Sequence, residues 1–372
     1  MPVTAKSSRN LGIDLMRAMA MFFVICLHIL GQGGLVAHAE PGSGKYDCLV
    51  LLQILSSCAV DAYGITTGYL MCTRPFRLSR ISKLWLTTVF WSVAVSCGFF
   101  ILVPASRSLS EMVSMFLPIL RGRYWFFTAY FVTMLVSPVL NVLIRNLSRR
   151  QFKLLLAALF LIFGVVPVCA LGYDVMRISG GNHFSWMIVL YLVGGYVRMY
   201  CAWEEDSVRT IRYLIGFFLF ALVHLLYIIA VHLVGLSNFR ELFLYNGSPL
   251  IVGEAVCLFL YCRAIGSRIR SKGVCGRMIR FVTPGIYAVY VIHVHPLIFW
   301  NQGLITLLRP WDAWNTGTVV LAMLATAAAI FAGCILLDTL RQWCFRVLGI
   351  DRMTDRISDT LEKHIRSLFA DR

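Results

Sequence analysis

Two side chains on the first long apolar segment have the types and the spacing to do chemistry together. Arg17 and His28 are eleven residues apart within LGIDLMRAMAMFFVICLHIL. Eleven residues of α-helix turn about 1100°, nearly three full turns, and rise about 16 Å, so both side chains lie on one face at different depths. A guanidinium suits phosphate groups, and an imidazole is the commonest general base. The spacing therefore predicts an anion-binding group and a base on one helix.

A simpler interpretation fits the same two residues. Arg17 can extend its guanidinium to lipid phosphates, and His28 can hydrogen-bond a neighbouring helix, without any catalysis. Both alternatives stay open on the spacing alone.

Further ionisable residues occur at a similar depth in other apolar segments. Asp61 lies near the middle of the second segment, and His293 and His295 lie in the ninth. Because an ionisable side chain inside a bilayer costs about 2.5–3.5 kcal/mol on insertion scales, each one calls for a functional or structural partner. His28 with Asp61 would make a base with an orienting carboxylate. A buried structural ion pair fits the same two residues.

The elements that must position these residues are membrane helices. The 372 residues are 59% hydrophobic and only 14% charged, with a mean hydropathy of +0.76. This composition excludes a water-soluble enzyme, a disordered chain and a collagen. Apolar windows of about 20 residues predict an all-α polytopic membrane protein of about ten transmembrane helices. The predicted spans are 11–31, 49–71, 82–103, 124–144, 153–172, 184–201, 212–236, 248–264, 281–308 and 317–340.

The formal charge of +16 encodes orientation in this chain and does not indicate a nucleic-acid partner. Most of the 34 Lys and Arg residues fall in the two tails and in alternate connections between the predicted spans. The positive-inside rule then predicts that both termini are cytoplasmic. The long apolar spans predict the lipid bilayer as a partner of the chain. We expect a membrane domain over residues 1–345 and a short amphipathic cytoplasmic tail over 346–372.

The cysteines do not indicate a metal site. Most of the 12 cysteines lie inside apolar runs, and neither a CxxC pair nor a Cys/His ligand spacing occurs. Small membrane-embedded side chains explain them, so we expect no metal.

Five segments, in order along nearly the whole chain, resemble the acyltransferase-3 family of integral membrane acyltransferases. Arg17 and His28 match its opening Arg/Lys-x10-His signature. VDAYGITTGYLM matches its aspartate and glycine at Asp61 and Gly68, with Thr67 and Tyr69 replacing the usual Ser and Phe. The other three segments are RPFRLSRISKLW, which lacks the family's following proline, RYWFFTAYFVTMLVSPVLN, and TPGIYAVYVIHVHP, which aligns His293.

The resemblance implies a ten-helix O-acyltransferase. It would move an acyl group, most often acetyl, from cytoplasmic acyl-CoA (acetyl-CoA) to a hydroxyl of a carbohydrate at or beyond the outer face of the cell membrane. His28 would act as the base or carry the acyl group transiently, Asp61 would orient it, and His293 would assist. The residues implied for binding the acyl-CoA phosphates are Arg17, Arg77, Arg80 and Lys83.

Other function classes stay open on the sequence. Basic residues in cytoplasmic loops also set topology and contact anionic lipids without binding a cofactor. A transporter or flippase for a glycan or lipid intermediate also carries ionisable residues inside the membrane, although it favours two similar halves, and none is evident. The acceptor, the length of the acyl chain and the oligomeric state do not follow from the sequence.

Overall fold

The computed structural model describes residues 9–173, 175, 179–201, 207–301 and 308–370. These residues form helices and connections without a β-strand, which confirms the all-α prediction. The helices are α1 Leu11–Leu30, α2 Leu35–His38, α3 Gly44–Ser57, α4 Ala59–Met71, α5 Leu78–Leu102, α6 Leu109–Phe116, α7 Trp125–Asn146, α8 Arg149–Phe160, α9 Val166–Cys169, α10 Phe184–Tyr200, α11 Ser207–Leu233, α12 Pro249–Ile265, α13 Val274–Val282, α14 Ile286–His293, α15 Pro296–Phe299, α16 Thr316–Val347 and α17 Ile350–Ala370.

Among the residues that the structure describes, seven stretches of helix are long and apolar enough to cross a membrane, so the protein is a multi-pass membrane protein. They are Leu11–His38, Gly44–Met71, Leu78–Leu102, Trp125–Asn146, Arg149–Cys169, Ser207–Leu233 and Thr316–Val347. The predicted sixth and eighth spans form the shorter helices α10 and α12, of 17 residues each. The predicted number of ten is therefore approximate.

Two of the predicted spans are interrupted. The second begins at Gly44 and breaks at Cys58, between α3 and α4. The ninth is not one helix, because the prolines Pro284 and Pro296 lack the N–H that a continuous helix needs. It forms α13, a 3-10 turn, α14 and α15, and residues 302–307 of that predicted span lie outside the described residues.

Helix α1 lies at the centre of the protein and packs against α3, α4, α12, α14 and α16. Its start is fixed by Asn10, whose Oδ1 accepts hydrogen bonds from the N–H groups of Gly12 and Ile13. The Asn10 side chain also donates to the carbonyl of Arg263 at the end of α12, at 3.3 Å. The N-terminal cap of α1 therefore also sets its height against α12.

Helices α4 and α10 approach each other more closely than side chains would allow. A Cβ on Gly68 would lie 1.9 Å from the carbonyl oxygen of Tyr191, and a Cβ on Gly194 would lie 2.0 Å from that of Ile65. Small residues at such crossings let backbones meet in membranes. This contact brings Tyr69, which follows Gly68, next to Arg198, which lies one turn after Gly194.

The predicted amphipathic tail forms α17 and packs along α5. Lys83 Nζ lies 2.8 Å from Asp355 Oδ2, and the hydroxyls of Ser82 and Ser358 are 3.0 Å apart. The backbone N–H of Leu78 donates to Glu362. These contacts attach the tail to the start of α5.

We expect Gly194→Ala to destabilise the protein by about 1–3 kcal/mol, because the new methyl would overlap the Ile65 carbonyl and force α4 and α10 apart. Thermal unfolding in detergent measures the change. Gly98→Ala is the matched control, since a Cβ there meets nothing within 4 Å. Equal melting temperatures for the two variants would contradict the packing argument.

Candidate functional site

His28 and His293 contact each other at the end of α1 that is remote from Asn10. The Nδ1 of His28 lies 3.1 Å from the Nε2 of His293, and the ring centroids are 5.2 Å apart. Phe299 packs edge-on against the His28 ring at 4.7 Å. His293 can reach this position because α14 ends there and the chain unwinds before α15.

The hydrogen bonds of this histidine pair determine where the protons lie. His293 Nδ1 is 2.5 Å from the carbonyl oxygen of Val289, which can only accept, so Nδ1 carries the proton. In a neutral ring the Nε2 of His293 is then an acceptor, and His28 must donate to it from Nδ1. The Nε2 of His28 therefore keeps its lone pair, which is the form that a general base or a nucleophile needs.

Asp61 is fully buried in α4 but is not hydrogen-bonded to His28. Its Oδ1 accepts a hydrogen bond from Trp186 Nε1 at 3.0 Å, and its Oδ2 has no partner among the described residues. Glu254 on α12 is also fully buried, and neither of its carboxylate oxygens has a hydrogen-bond partner among the described residues. The predicted pairing of His28 with Asp61 is thus wrong, because depth along α4 does not determine which neighbouring helix a side chain faces.

A cavity of about 680 Å³ lies at the other end of α1, next to Asn10. We call it the arginine cavity. Its charged lining consists of five arginines and one carboxylate: Arg9, Arg17, Arg74, Arg198, Arg263 and Asp14. Arg9 is ion-paired with Asp14. This lining carries an excess of positive charge that suits a ligand with several negative groups.

Tyr69 holds two of these arginines. Its hydroxyl oxygen accepts from Arg198 Nη1 at 3.1 Å and from Arg263 Nε at 2.9 Å. The guanidinium of Arg198 also lies 5.1 Å from the centroid of the Tyr69 ring. Tyr69 follows Gly68, and Arg198 lies one turn after Gly194, so the close crossing of α4 and α10 makes these contacts possible. One phenol thereby orders cations from two other helices.

Among the α1 residues that line the arginine cavity, Arg17 is the one nearest to His28 along the helix. Its Nη2 donates to the hydroxyl of Tyr63 at 3.3 Å, and its guanidinium lies 5.6 Å from that ring. A row of ring contacts continues from there toward the histidines: Tyr63 with Phe126 at 5.7 Å, Phe126 with Tyr290 at 5.2 Å, and Tyr290 with His293 at 6.5 Å. His28 itself is not among the residues that line the cavity. Aromatic side chains therefore fill the interval between Arg17 and the histidine pair.

The other basic residues predicted to bind acyl-CoA lie outside the arginine cavity. Arg77 precedes α5, Arg80 donates to the Pro75 carbonyl at 3.0 Å, and Lys83 is paired with Asp355 of the tail. None of the three lines the cavity. Arg74 does line it, together with Arg198 and Arg263, which the sequence analysis counted only as cytoplasmic charge. For Arg198 and Arg263, the position in the last turn of an apolar helix was the available signal.

His295 belongs to a separate polar network. Its Nε2 lies 2.7 Å from Arg123 Nη2 and 3.2 Å from Ser96 Oγ. Arg123 also forms a two-bonded ion pair with Glu111 on α6, at 3.0 and 2.5 Å. Burial acts to raise the pKa of Glu111, but hydrogen bonds from Arg123 and Ser96 outweigh it and lower that pKa. Since His295 Nδ1 accepts from the N–H of Leu297, this network fixes the start of α15, which carries Phe299 to His28.

The fold and these two sites define a multi-pass membrane protein that places an imidazole pair and a polycationic cavity at opposite ends of one buried helix. The chain belongs to the acyltransferase-3 family: the family model, described as an acyltransferase domain, matches residues 10–338. The predicted resemblance is thus confirmed, and the protein is a membrane acyltransferase. No curated protein and no solved structure matches the chain.

We expect Tyr69→Phe to weaken binding of a polyanion in the arginine cavity by about tenfold or more. The change keeps the ring but removes the acceptor of two charged hydrogen bonds, each contributing about 1.5–3 kcal/mol, and tenfold in affinity corresponds to about 1.4 kcal/mol. Binding of coenzyme A to the purified protein in lipid nanodiscs measures the loss. Tyr200→Phe removes a hydroxyl bonded to Leu147 outside this cavity and should leave the affinity unchanged. Equal affinity in both variants would refute the role of Tyr69.

Proposed function

We propose that the protein transfers an acyl group, acetyl in the simplest case, from acyl-CoA to a hydroxyl of a carbohydrate at the far side of the membrane. The arginine cavity would bind the phosphates of acyl-CoA from the cytoplasm. His28 would activate the acceptor hydroxyl, with His293 as its hydrogen-bond partner. This proposal takes both termini as cytoplasmic and the cell membrane as the location, as the distribution of Lys and Arg predicts.

The observation that carries this proposal is the concentration of guanidinium groups around the arginine cavity. Arg198 and Arg263 converge on a single uncharged oxygen, and Arg17 and Arg74 add further positive charge within the same lining. Like charges placed close together repel one another, and a bound polyanion lowers that repulsion. Guanidinium groups match phosphate geometry with paired N–H donors. A donor with several phosphates, such as acyl-CoA, meets this requirement, whereas a neutral donor does not.

The length of α1 supports a donor that spans from the cavity to the histidines. Arg17 and His28 are separated by about 16 Å along the helix axis, comparable to the reach of a pantetheine arm. Tyr63, Phe126 and Tyr290 occupy this interval. They provide an apolar wall for the arm once their rings rotate to admit it, and an apolar interval also keeps water from the thioester.

The proposed transfer balances without any further reactant. As the acceptor oxygen attacks the thioester carbonyl carbon, His28 Nε2 takes the hydroxyl proton. The new C–O bond forms, the C–S bond breaks, and His28 returns the proton to the leaving thiolate, which gives an ester and a free thiol. His293 keeps the required lone pair of His28 directed at the acceptor by accepting from His28 Nδ1. This is the orienting part of the role that the sequence analysis gave to Asp61.

We expect His28→Ala to lower the rate of acyl transfer about 10²- to 10⁴-fold, the usual contribution of a general base. The assay uses the purified protein in liposomes with radiolabelled acetyl-CoA on one side only, and it counts both released thiol and transferred label. His232→Ala is the control. It changes a histidine on a different helix, α11, and should keep wild-type activity. Transfer by His28→Ala at the wild-type rate would refute the catalytic role.

The same liposome assay separates an acyltransferase from a transporter. An acyltransferase releases thiol from acetyl-CoA supplied at the arginine-cavity side, in proportion to the label transferred. A flippase would move an intermediate without consuming the thioester.

A further inference from the structure

A second cavity lies at the opposite end of α1 from the arginine cavity. It encloses about 170 Å³, and we call it the Gly31 cavity. Leu30 and Gly31 contribute the end of α1, and Tyr46, Val50 and Gln53 contribute one face of α3 at helical spacing. Arg240 and Glu241, in the connection after α11, complete the polar part of its lining.

The position of the Gly31 cavity relates it to the histidine pair. Leu30 and Gly31 follow His28 by two and three residues, which is a rise of about 3–4.5 Å along the helix. Gly31 is also on the same face of α1 as His28, because residues three apart are neighbours on a helix surface. One helix therefore contacts the arginine cavity with its first turns, carries His28 near its end, and contacts the Gly31 cavity directly beyond it.

The electrostatic character of this cavity differs from that of the arginine cavity. Its two charged residues neutralise each other, since Arg240 Nη2 lies 3.3 Å from Glu241 Oε1. Arg240 also donates to the hydroxyl of Tyr46 at 3.3 Å. A charged ligand would have to break this pairing, whereas a neutral ligand keeps it. The lining thus selects against the polyanion that the arginine cavity favours.

The remaining lining fits a molecule with alternating polar and apolar surfaces. Gln53 presents both an acceptor and two donors, which matches neighbouring hydroxyl groups. Leu30, Val50 and Ile228 present aliphatic surface suited to the C–H faces of a ring. At about 30 Å³ per water molecule, the volume equals roughly six waters, the size of a single sugar ring.

We propose that the Gly31 cavity is the acceptor subsite and binds one uncharged sugar unit, so that a hydroxyl of that unit or of an adjoining one reaches His28. This inference deepens the proposed function and rests on it. It divides substrate recognition between the two ends of α1: the polyanionic donor at Arg17 and the neutral acceptor beyond His28.

Saturation-transfer NMR on the protein in nanodiscs tests the subsite without requiring catalysis. The probes are methyl glucoside and methyl N-acetylglucosaminide as neutral glycosides, and methyl glucuronide as an anionic one. Wild-type protein should give saturation transfer to at least one neutral glycoside and a weaker signal with the glucuronide. Gln53→Leu should lower the neutral signal at least fivefold, because it keeps the side-chain size and removes every hydrogen-bonding group.

Two further variants provide a matched control and a second test of the cavity lining. Gln32→Leu changes a glutamine just beyond Gly31 that does not line the cavity, so its signal should equal that of the wild type. Glu241→Gln, at a side chain that is 70% exposed, perturbs the lining without burying a new group and should lower the signal even if Gln53→Leu fails to fold. Unchanged signals in both lining variants, or no transfer to any neutral glycoside, would overturn the proposal.

Activity measurements distinguish failure of this inference from failure of the proposed function. In the liposome assay, Gln53→Leu should bind coenzyme A as the wild type does and should keep the wild-type rate of the slow hydrolysis of acetyl-CoA by water. Its rate of transfer to carbohydrate should fall at least tenfold. Equal loss of hydrolysis and transfer would show that the effect is not specific to the acceptor, and would count against the subsite. A wild-type protein that binds neutral glycosides but never consumes acetyl-CoA would instead refute the proposed function.

Discussion

Placing charged and titratable side chains inside a hydrocarbon layer is the physical constraint on which the rest of this structure depends. A side chain that is charged there needs a partner within the protein, since the lipid offers none. Arg17 uses the phenol of Tyr63, and His28 and His293 use each other and a backbone carbonyl. The helices pack in the arrangement that allows these pairs to form, and the same pairs set the orientation of the candidate catalytic groups.

Backbone geometry supplies the rest of the positioning. Gly68 and Gly194 let α4 and α10 meet closely enough for Tyr69 to hold Arg198, so a packing feature is also an electrostatic one. The unwinding between α14 and α15 ends a helix at His293 and begins another that carries Phe299 to the face of His28. His293 and His295, which flank this break, are both buried. The site thus depends on interruptions that a straight helix could not provide.

The sequence was most informative where both residues of interest lie on the same helix. Arg17 and His28 lie at fixed rise and rotation on α1, and the structure places Arg17 in the lining of the arginine cavity and His28 beside His293. Contacts between helices were much harder to predict. A residue's position along its helix follows from the sequence, whereas the neighbouring helix that its side chain faces does not. Asp61 faces Trp186 and not His28, and Arg198 and Arg263 reach the arginine cavity through contacts between helices that are distant in the sequence. The fold class and the family followed from composition and ordered motifs, whereas the break of the ninth span was signalled only by its two prolines.

The central claim is that one molecule of acyl-CoA spans α1, with its phosphates in the arginine cavity and its acyl carbon at His28. A cryo-electron microscopy structure of the protein in nanodiscs, bound to a non-hydrolysable thioether analogue of acetyl-CoA, tests this claim most directly. We expect phosphate oxygens in hydrogen-bond contact with Arg198 and Arg263, and the carbon that replaces the thioester carbonyl about 4–6 Å from His28 Nε2, so that the acceptor hydroxyl fits between the base and that carbon. An analogue bound at another surface, or one whose acyl end points away from the histidine pair, would contradict the account.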